Sequence, residues 1–192
     1  MVYSQSKVLK KSKKLLKRVN SSPRFFLFLG LFFLLFGGIN YYRVRILSFT
    51  KSPVTTSVEQ KGELPVRVTI PSIGIDLAVD VGEIENGVWK ISYSNATFLS
   101  TSGRPGGDNN TVIYGHNKKA ILGNLPYLSL GQYIYVKTAD GVMHKYEAYQ
   151  KDFVGPDRVD LVSSTNKEEL TIYTCWGLFD TQRVVVKAKP VI

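Results

Sequence analysis

Hydrophobic and polar positions divide the chain into distinct regimes. Residues 1–24 are basic and polar. Phe25–Ile39, FFLFLGLFFLLFGGI, is an apolar run of 15 residues without a charge. Residues 43–64 carry Ser, Thr, Lys and Glu with Pro53 and Gly62 and only scattered apolar positions, the composition of a linker. From Leu64 onward, short apolar runs recur between turn residues, and this spacing predicts strands. They fall at Val66–Ile70 (stopped by Pro71), Ala78–Val81, Gly87–Ile91, Thr111–Tyr114, Gln132–Thr138, Val142–Tyr149, Leu170–Cys175 and Arg183–Ala188. Ala139-Asp140-Gly141 supplies a hairpin turn between two of them. Arg104-Pro105-Gly106-Gly107-Asp108 marks a turn cluster inside the polar stretch Ser92–Asn110. Leu122–Leu130 reads as a short helix closed near Gly131, and Phe153–Ser163 holds one weak strand. About eight short strands with almost no long helical period predict a mostly β domain, a closed or partly closed eight-stranded β-barrel.

Charge changes the picture only once it is located. The formal net charge is +10, yet residues 1–24 hold eight cations and no acid, while the rest holds 17 cations against 15 acids. The basicity belongs to the tail, so a nucleic-acid face on the folded domain is not indicated. Beside an apolar run such a tail fixes orientation, with the N-terminus cytoplasmic and everything after Tyr42 outside. As a helix at ~1.5 Å per residue the run falls short of a ~30 Å hydrocarbon core. Asn40-Tyr41-Tyr42 extends it into an interfacial belt, and Arg24, Arg43 and Arg45 can snorkel. A cleaved secretory signal has a similar apolar length, but no A-x-A-like site follows. The expected organisation is a basic cytoplasmic tail (1–24), a transmembrane signal-anchor (25–42), a linker (43–64) and an exported domain (65–192). The expected location is the cell membrane, single-pass, with the domain extracellular.

Export makes the chain's single cysteine conspicuous. Cys175 ends the strand LTIYTC and has no partner for an intrachain disulfide, so either its reactivity or its burial as a small apolar residue must account for it. A cysteine nucleophile needs a proton partner and a group that stabilises a developing oxyanion. Of two histidines, His116 follows a glycine at the end of a buried strand in YGHN, whereas His144 sits mid-strand between charged neighbours in VMHKYEAY. Among the arginines, Arg183 opens the strand after Cys175, so a hairpin brings the two strand ends together; Arg104 and Arg158 lie in turns. One Cys and two His do not supply zinc-type spacing. Arg183 shares strand parity with Lys187 and Lys189, which calls for a bulge or a barrel end to place it beside the thiol.

Several segments, in order, resemble sortases. TIYTC (Thr171–Cys175) is similar to the family's TLxTC strand, IPSIGIDLAV (70–79) to its opening strand pair, and RPGGDNNTVIYGHN (104–117) to its Pro-Gly turn and Gly-His strand. LGQYIYVKTADG (130–141) resembles the next hairpin, and RVVVKAKP (183–190) the final strand that opens with the catalytic arginine. The resemblance implies a sortase-type barrel and a cysteine transpeptidase. In it Cys175 is the nucleophile, His116 the acid/base, and Arg183 the group that binds the substrate carbonyl and oxyanion. Thr174, Trp176 and Asn117 are the implied substrate-binding residues. The implied partners are proteins with a C-terminal LPxTG-like sorting signal, cut between Thr and Gly, and a cell-wall precursor or pilin amine as acceptor. No metal or organic cofactor is implied as a requirement, although some members bind calcium. The compact chain suggests a class D- or E-like member. Two alternatives stay open on sequence: an L,D-transpeptidase-like peptidoglycan enzyme, which carries a Gly immediately before the cysteine and an Arg two residues after it where the neighbours here are Thr174 and Trp176, and a non-catalytic anchored binding module.

Overall fold

The computed structural model describes residues 23–44, 61–85 and 88–191. The basic tail expected at 1–24 and the linker expected at 43–64 lie mostly outside the described residues. Helix α1, Pro23–Val44, belongs up to Tyr42 to one compact unit, and the strands belong to another. Taken by itself, α1 exposes Phe25, Leu27, Phe28, Leu31, Phe33 and Leu34 around its whole circumference. The transmembrane helix expected at 25–42 falls on α1. Among the described residues, no helix is long and apolar enough to cross a membrane.

Eight strands close a barrel: β1 (Pro65–Ile70), β2 (Ile75–Gly82), β5 (Ala96–Leu99), β6 (Asn110–Gly115), β7 (Tyr133–Thr138), β8 (Met143–Val154), β9 (Glu169–Trp176) and β10 (Gln182–Pro190). Their order around the barrel is β1-β2-β5-β6-β9-β10-β8-β7, and β3 (Ile84–Glu85) pairs with β4 (Val88–Trp89) apart from it. Most neighbours are antiparallel; β2–β5 and β6–β9 are parallel. Pro65, lacking an N–H, stands at the first position of β1, where a strand tolerates it.

Alternation sorts the side chains into two layers. Val68, Ile70, Phe98, Ile113, Ile134, Ile172, Val184 and Val186 fill the interior, and Ile121, Leu122, Leu125 and Leu128 join the same cluster. A second cluster covers the outer face of β6, β9 and β10, where Val112, Tyr114, Tyr173, Cys175 and Val185 pack with Trp89, Leu161 and Val162. These central strands are buried on both faces, so they read in sequence as continuous apolar runs.

Three expectations are corrected. The helix expected at Leu122–Leu130 is a single 3-10 turn, Leu125–Tyr127, because Gly123 and Pro126 interrupt the helical ladder. β5 lies inside the stretch read as polar; all four of its residues are buried, so it shows no alternation. The weak strand expected in Phe153–Ser163 is the end of β8 followed by a 3-10 turn at Val159–Val162. The parity of β10 is resolved as well. Arg183, Val185 and Lys187 share the outer face, and Lys187 meets Glu169 at 2.5 Å. The register shift lies in β8, where Gln150 and Ala148 face Lys187 and Ala188 and leave Tyr149 as the extra residue. Tyr149 then donates its hydroxyl to Glu169.

Glu169 and Lys187 are 5% and 12% exposed in their side chains, so each neutralises a charge that water does not reach well. Lys187→Met is expected to destabilise the barrel by about 3–5 kcal/mol, and the double variant Glu169→Gln/Lys187→Met by clearly less. Urea unfolding checks both; equal losses would contradict a mutually compensating pair.

Candidate active site

Three neighbouring strands deliver the site. β6 runs parallel to β9 with Gly115 opposite Thr174, which brings the next residue, His116, level with Cys175. β9 runs antiparallel to β10, where Arg183 is the direct partner of Cys175. Val112 and Tyr114 of β6, Tyr173 of β9 and Val185 of β10 all belong to the outer layer. By alternation His116, Cys175 and Arg183 continue that layer as one row, on strands roughly 4.8 Å apart.

Local chemistry explains each placement. Gly115 is closely packed: a Cβ there would stand 3.1 Å from side-chain carbons of Ile121 and of Leu122, which would have to give. The close approach lets the Leu122 N–H donate to the His116 carbonyl at 3.2 Å, which pins the residue after the strand. Thr174, fully buried, donates its hydroxyl to the Gly115 carbonyl at 2.8 Å and ties the two parallel strand ends together. The β9–β10 loop begins at Gly177 with φ 81 and ψ 179, a combination essentially restricted to glycine. Phe179 and Asp180 follow with φ 56 and 55, left-handed values that cost non-glycine residues roughly 1–3 kcal/mol each. The turn ends with the Asp180 and Gln182 carbonyls accepting hydrogen bonds from Arg183 Nη1 at 2.8 and 2.9 Å.

Burial sets the electrostatics. Cys175 is 4% exposed and Arg183 3%. Burial pushes the thiol up to about 12; the Arg183 charge opposes this and the Asp180 charge adds to it. His116 is half-buried. Burial, seconded by the Lys118 charge, holds its imidazole below the ordinary value, while Asp180 pulls the other way. His116 Nε2 is buried without a hydrogen-bond partner, and the exposed Tyr93 ring stacks on the imidazole at 6.2 Å between centroids. Beneath Cys175, Tyr173 stacks on Tyr114 at 5.5 Å, and Trp89 meets both rings edge-on. A neutral thiol and a neutral imidazole thus share one partly dry face with a fixed cation. That set can form a thioacyl bond, protonate a leaving amine and stabilise an oxyanion.

The remaining sequence candidates separate cleanly. His144 lies on β8 opposite Val136, ten positions from Val154, the β8 partner of Arg183. At ~3.3 Å per residue this is about 30 Å along the strand. Arg158 is taken up by a two-pronged pair with Asp160, at 2.8 Å on each prong, and Arg104 donates to the Gly62 carbonyl. Of the expected substrate-binding residues, Asn117 is exposed beside His116. Trp176 is half-buried, packs on the interior cluster and meets Phe153 edge-on at 6.0 Å. Thr174 is fully buried and its hydroxyl donates to the Gly115 carbonyl, so in this structure it ties the two strands together. Among the described residues, no three His, Cys, Asp or Glu side chains gather as a metal site.

Sequence reading missed Tyr93 and Asp180. Tyr93 sits in a serine- and asparagine-rich stretch with no local signal. Asp180 stands three residues before Arg183 in a loop whose backbone geometry composition does not reveal.

Comparison with known proteins gives this arrangement its class. The sortase domain model matches residues 68–191. Sortase A from Corynebacterium diphtheriae, as a lid mutant, is similar at 25% identity and a TM-score of 0.58, covering 69% of this chain and 73% of that one. Sortase C-1 from Actinomyces oris shares the fold at 21% identity and a TM-score of 0.59, covering 72% and 92%. A Clostridium perfringens sortase D5 transpeptidase does so at 21% and 0.58, covering 71% and 83%. No curated protein sequence matches. The family model spans well over half of the chain and the whole of the barrel's central strands, which sets aside the L,D-transpeptidase and binding-module alternatives: the chain belongs to the sortase family, and is a cysteine transpeptidase.

Proposed function

We propose that this sortase uses Cys175, His116 and Arg183 to cut an LPxTG-like sorting signal and pass the protein to an amine. The observation that carries this reading is the row of these three side chains on adjacent strands of one face. Cys175 Sγ attacks the scissile carbonyl, and its proton passes to His116. Arg183 stabilises the oxyanion that develops. His116 then protonates the departing amine as the tetrahedral species collapses to a thioacyl. An incoming amine attacks that thioester, gives its proton to His116 and frees the thiol. Each of these steps runs on the chain's own side chains, and none calls for a metal, calcium or an organic cofactor. The acceptor is a cell-wall precursor or pilin amine. Exposed side chains of the neighbouring loops, Tyr93, Leu178 and Phe179, together with Trp176 and Asn117, supply the surroundings for the signal.

The location follows from physical argument. α1 is apolar on every side, which is unfavourable in water, and the cationic flank at residues 1–24 sets the N-terminus on the cytoplasmic side. Its apolar length is short for a bilayer, and snorkelling arginines with local thinning make up the difference. Anchored so, enzyme and membrane-bound substrate share one surface, which raises their effective concentration. The full chain is expected in the membrane fraction, released by detergent and not by salt; release by salt would contradict the anchor.

Purified protein is expected to cleave an LPxTG-type peptide and join its acyl part to an added amine. Cys175→Ala and His116→Ala are expected to abolish this, and Arg183→Ala to lower kcat/KM by about 10²–10³. Activity equal to wild type in all three variants would falsify the assignment.

The directions of the two titrations fix the pH profile. Burial holds the His116 imidazole below its ordinary value and pushes the Cys175 thiol up to about 12, so the neutral form of each is favoured around neutral pH. The acid limb of kcat/KM is expected below pH 6.5, with no alkaline loss before about pH 9. Alkylation of Cys175 by iodoacetamide is expected to be slow at pH 7 and to rise about tenfold per pH unit to pH 9. A rate already at its plateau at pH 7 would contradict the buried neutral thiol.

A further inference from the structure

Among the described residues, Tyr93 is the most exposed large apolar side chain, at 83%. Burial therefore gives no account of an aromatic residue at this position. Its backbone, by contrast, is closely held. Between β4 and β5 the Ser92 N–H donates to the Thr97 hydroxyl at 2.9 Å, and the Ser94 and Asn95 N–H groups both donate to the Ser92 hydroxyl, at 3.4 and 3.1 Å. The Asn95 side-chain amide donates to both Asp80 carboxylate oxygens, at 3.2 and 3.0 Å. A serine hydroxyl that takes the N–H groups two and three residues further on closes a tight turn, and Tyr93 stands at the corner of it. The turn sets its ring against the His116 imidazole, 25° from parallel and with centroids 6.2 Å apart. On the other side of that contact the His116 carbonyl accepts from the Leu122 N–H at 3.2 Å, which holds the backbone. The imidazole Nε2 is buried with no hydrogen-bond partner. No bond at that nitrogen sets the ring plane, so packing does, and Tyr93 is the ring packed on it.

We propose that Tyr93 is a positioning residue of this site: its ring, carried on a hydrogen-bonded turn, fixes the plane of the His116 imidazole for both proton transfers. An acid/base must come within about a hydrogen bond of the proton it moves. An imidazole that can turn about its Cβ–Cγ bond spends less of its time in that geometry. Offset aromatic pairs attract at centroid spacings of roughly 4.5–7 Å, and this contact lies inside that range. It uses the face of the Tyr93 ring and not its hydroxyl. The same imidazole serves the departing amine and the incoming one, so loss of the ring slows both steps alike. This rests on the catalytic assignment of His116 made above.

Tyr93→Leu removes the ring and keeps an apolar side chain; Tyr93→Phe keeps the ring and removes the hydroxyl. Because the side chain stands largely in solvent, neither is expected to move the thermal midpoint. Tyr93→Leu is expected to lower kcat by about two- to tenfold, the factor one aromatic pair carries, with KM changed less. Tyr93→Phe is expected to restore kcat, and the ratio of transfer product to hydrolysis product is expected to stay at its wild-type value in both. NMR of the full chain in detergent reads the contact itself, as NOEs between the Tyr93 and His116 rings; the chain has two histidines, and His144→Gln assigns the other. A Tyr93→Phe enzyme as slow as Tyr93→Leu overturns the proposal, and so does a rise in KM alone, which makes the ring a wall for the peptide. Loss of transfer with hydrolysis unchanged also overturns it, because the ring then serves the acceptor. Absence of the ring-to-ring NOEs in wild type does so without reference to activity. Wild-type protein that shows these NOEs and cleaves no LPxTG-type peptide would refute the substrate reading and uphold the placement of Tyr93 on His116.

Discussion

The parallel pairing of β6 with β9 is the constraint on which the rest of this structure depends. Parallel neighbours cannot be joined by a tight turn, so more than fifty residues of chain leave β6 after His116 before β9 begins. That excursion supplies β7, β8 and the caps of both layers. The pairing also sets a level: Gly115 against Thr174 places His116 beside Cys175. The antiparallel hairpin to β10 then brings Arg183 to the same level from the other side. The row of His116, Cys175 and Arg183 is a consequence of strand register, and register is held by side chains outside that row. The Thr174 hydroxyl on the Gly115 carbonyl is one; the missing Cβ of Gly115 is another.

The same register decides which face is used. The row lies on the outside of the barrel, under a second apolar layer built from Trp89, Tyr114, Leu161, Val162 and Tyr173. A barrel interior as tightly filled as this one has no space for a peptide. The outer layer provides a surface that substrate can reach while keeping the thiol nearly dry. Dryness has a cost, since it disfavours the thiolate, and a return, since the Arg183 charge is stronger where water is excluded. Burial thus favours the neutral form of both the thiol and the imidazole.

Much of this was legible in the sequence because strands with strong local signals carry the chemistry. LTIYTC, VIYGH and RVVVKAK are rich in β-branched and aromatic residues, and the two expected partners of Cys175 each stand at the end of such a run. What escaped reading shares one cause: burial or geometry that depends on distant chain. β5 is buried on both faces by strands far away in sequence, so ATFL shows no alternation. Leu122–Leu130 reads as a helix, yet Leu122, Leu125 and Leu128 fill the same interior cluster as the strands with only one 3-10 turn. Thr174, implied by the resemblance to line the substrate groove, is buried against the Gly115 carbonyl, a placement that its position next to Cys175 does not reveal. Asp180 and Tyr93 approach the site from loops whose course no local pattern encodes. The face on which Arg183 stands was also hidden, because Lys187 on the same parity looked solvated until its pairing with Glu169 was seen.

The central claim is that Cys175 takes an acyl group from a peptide carrying the sorting signal. Intact-mass spectrometry of the protein, incubated with an LPxTG-type peptide without an amine acceptor and quenched in acid, tests it most directly. The expected result is a mass increase equal to the acyl fragment ending in threonine, mapped to Cys175, absent from Cys175→Ala and discharged by an added amine. An unmodified Cys175 alongside a peptide cut between threonine and glycine would contradict it, because cleavage would then proceed without the covalent intermediate that the site is built to form.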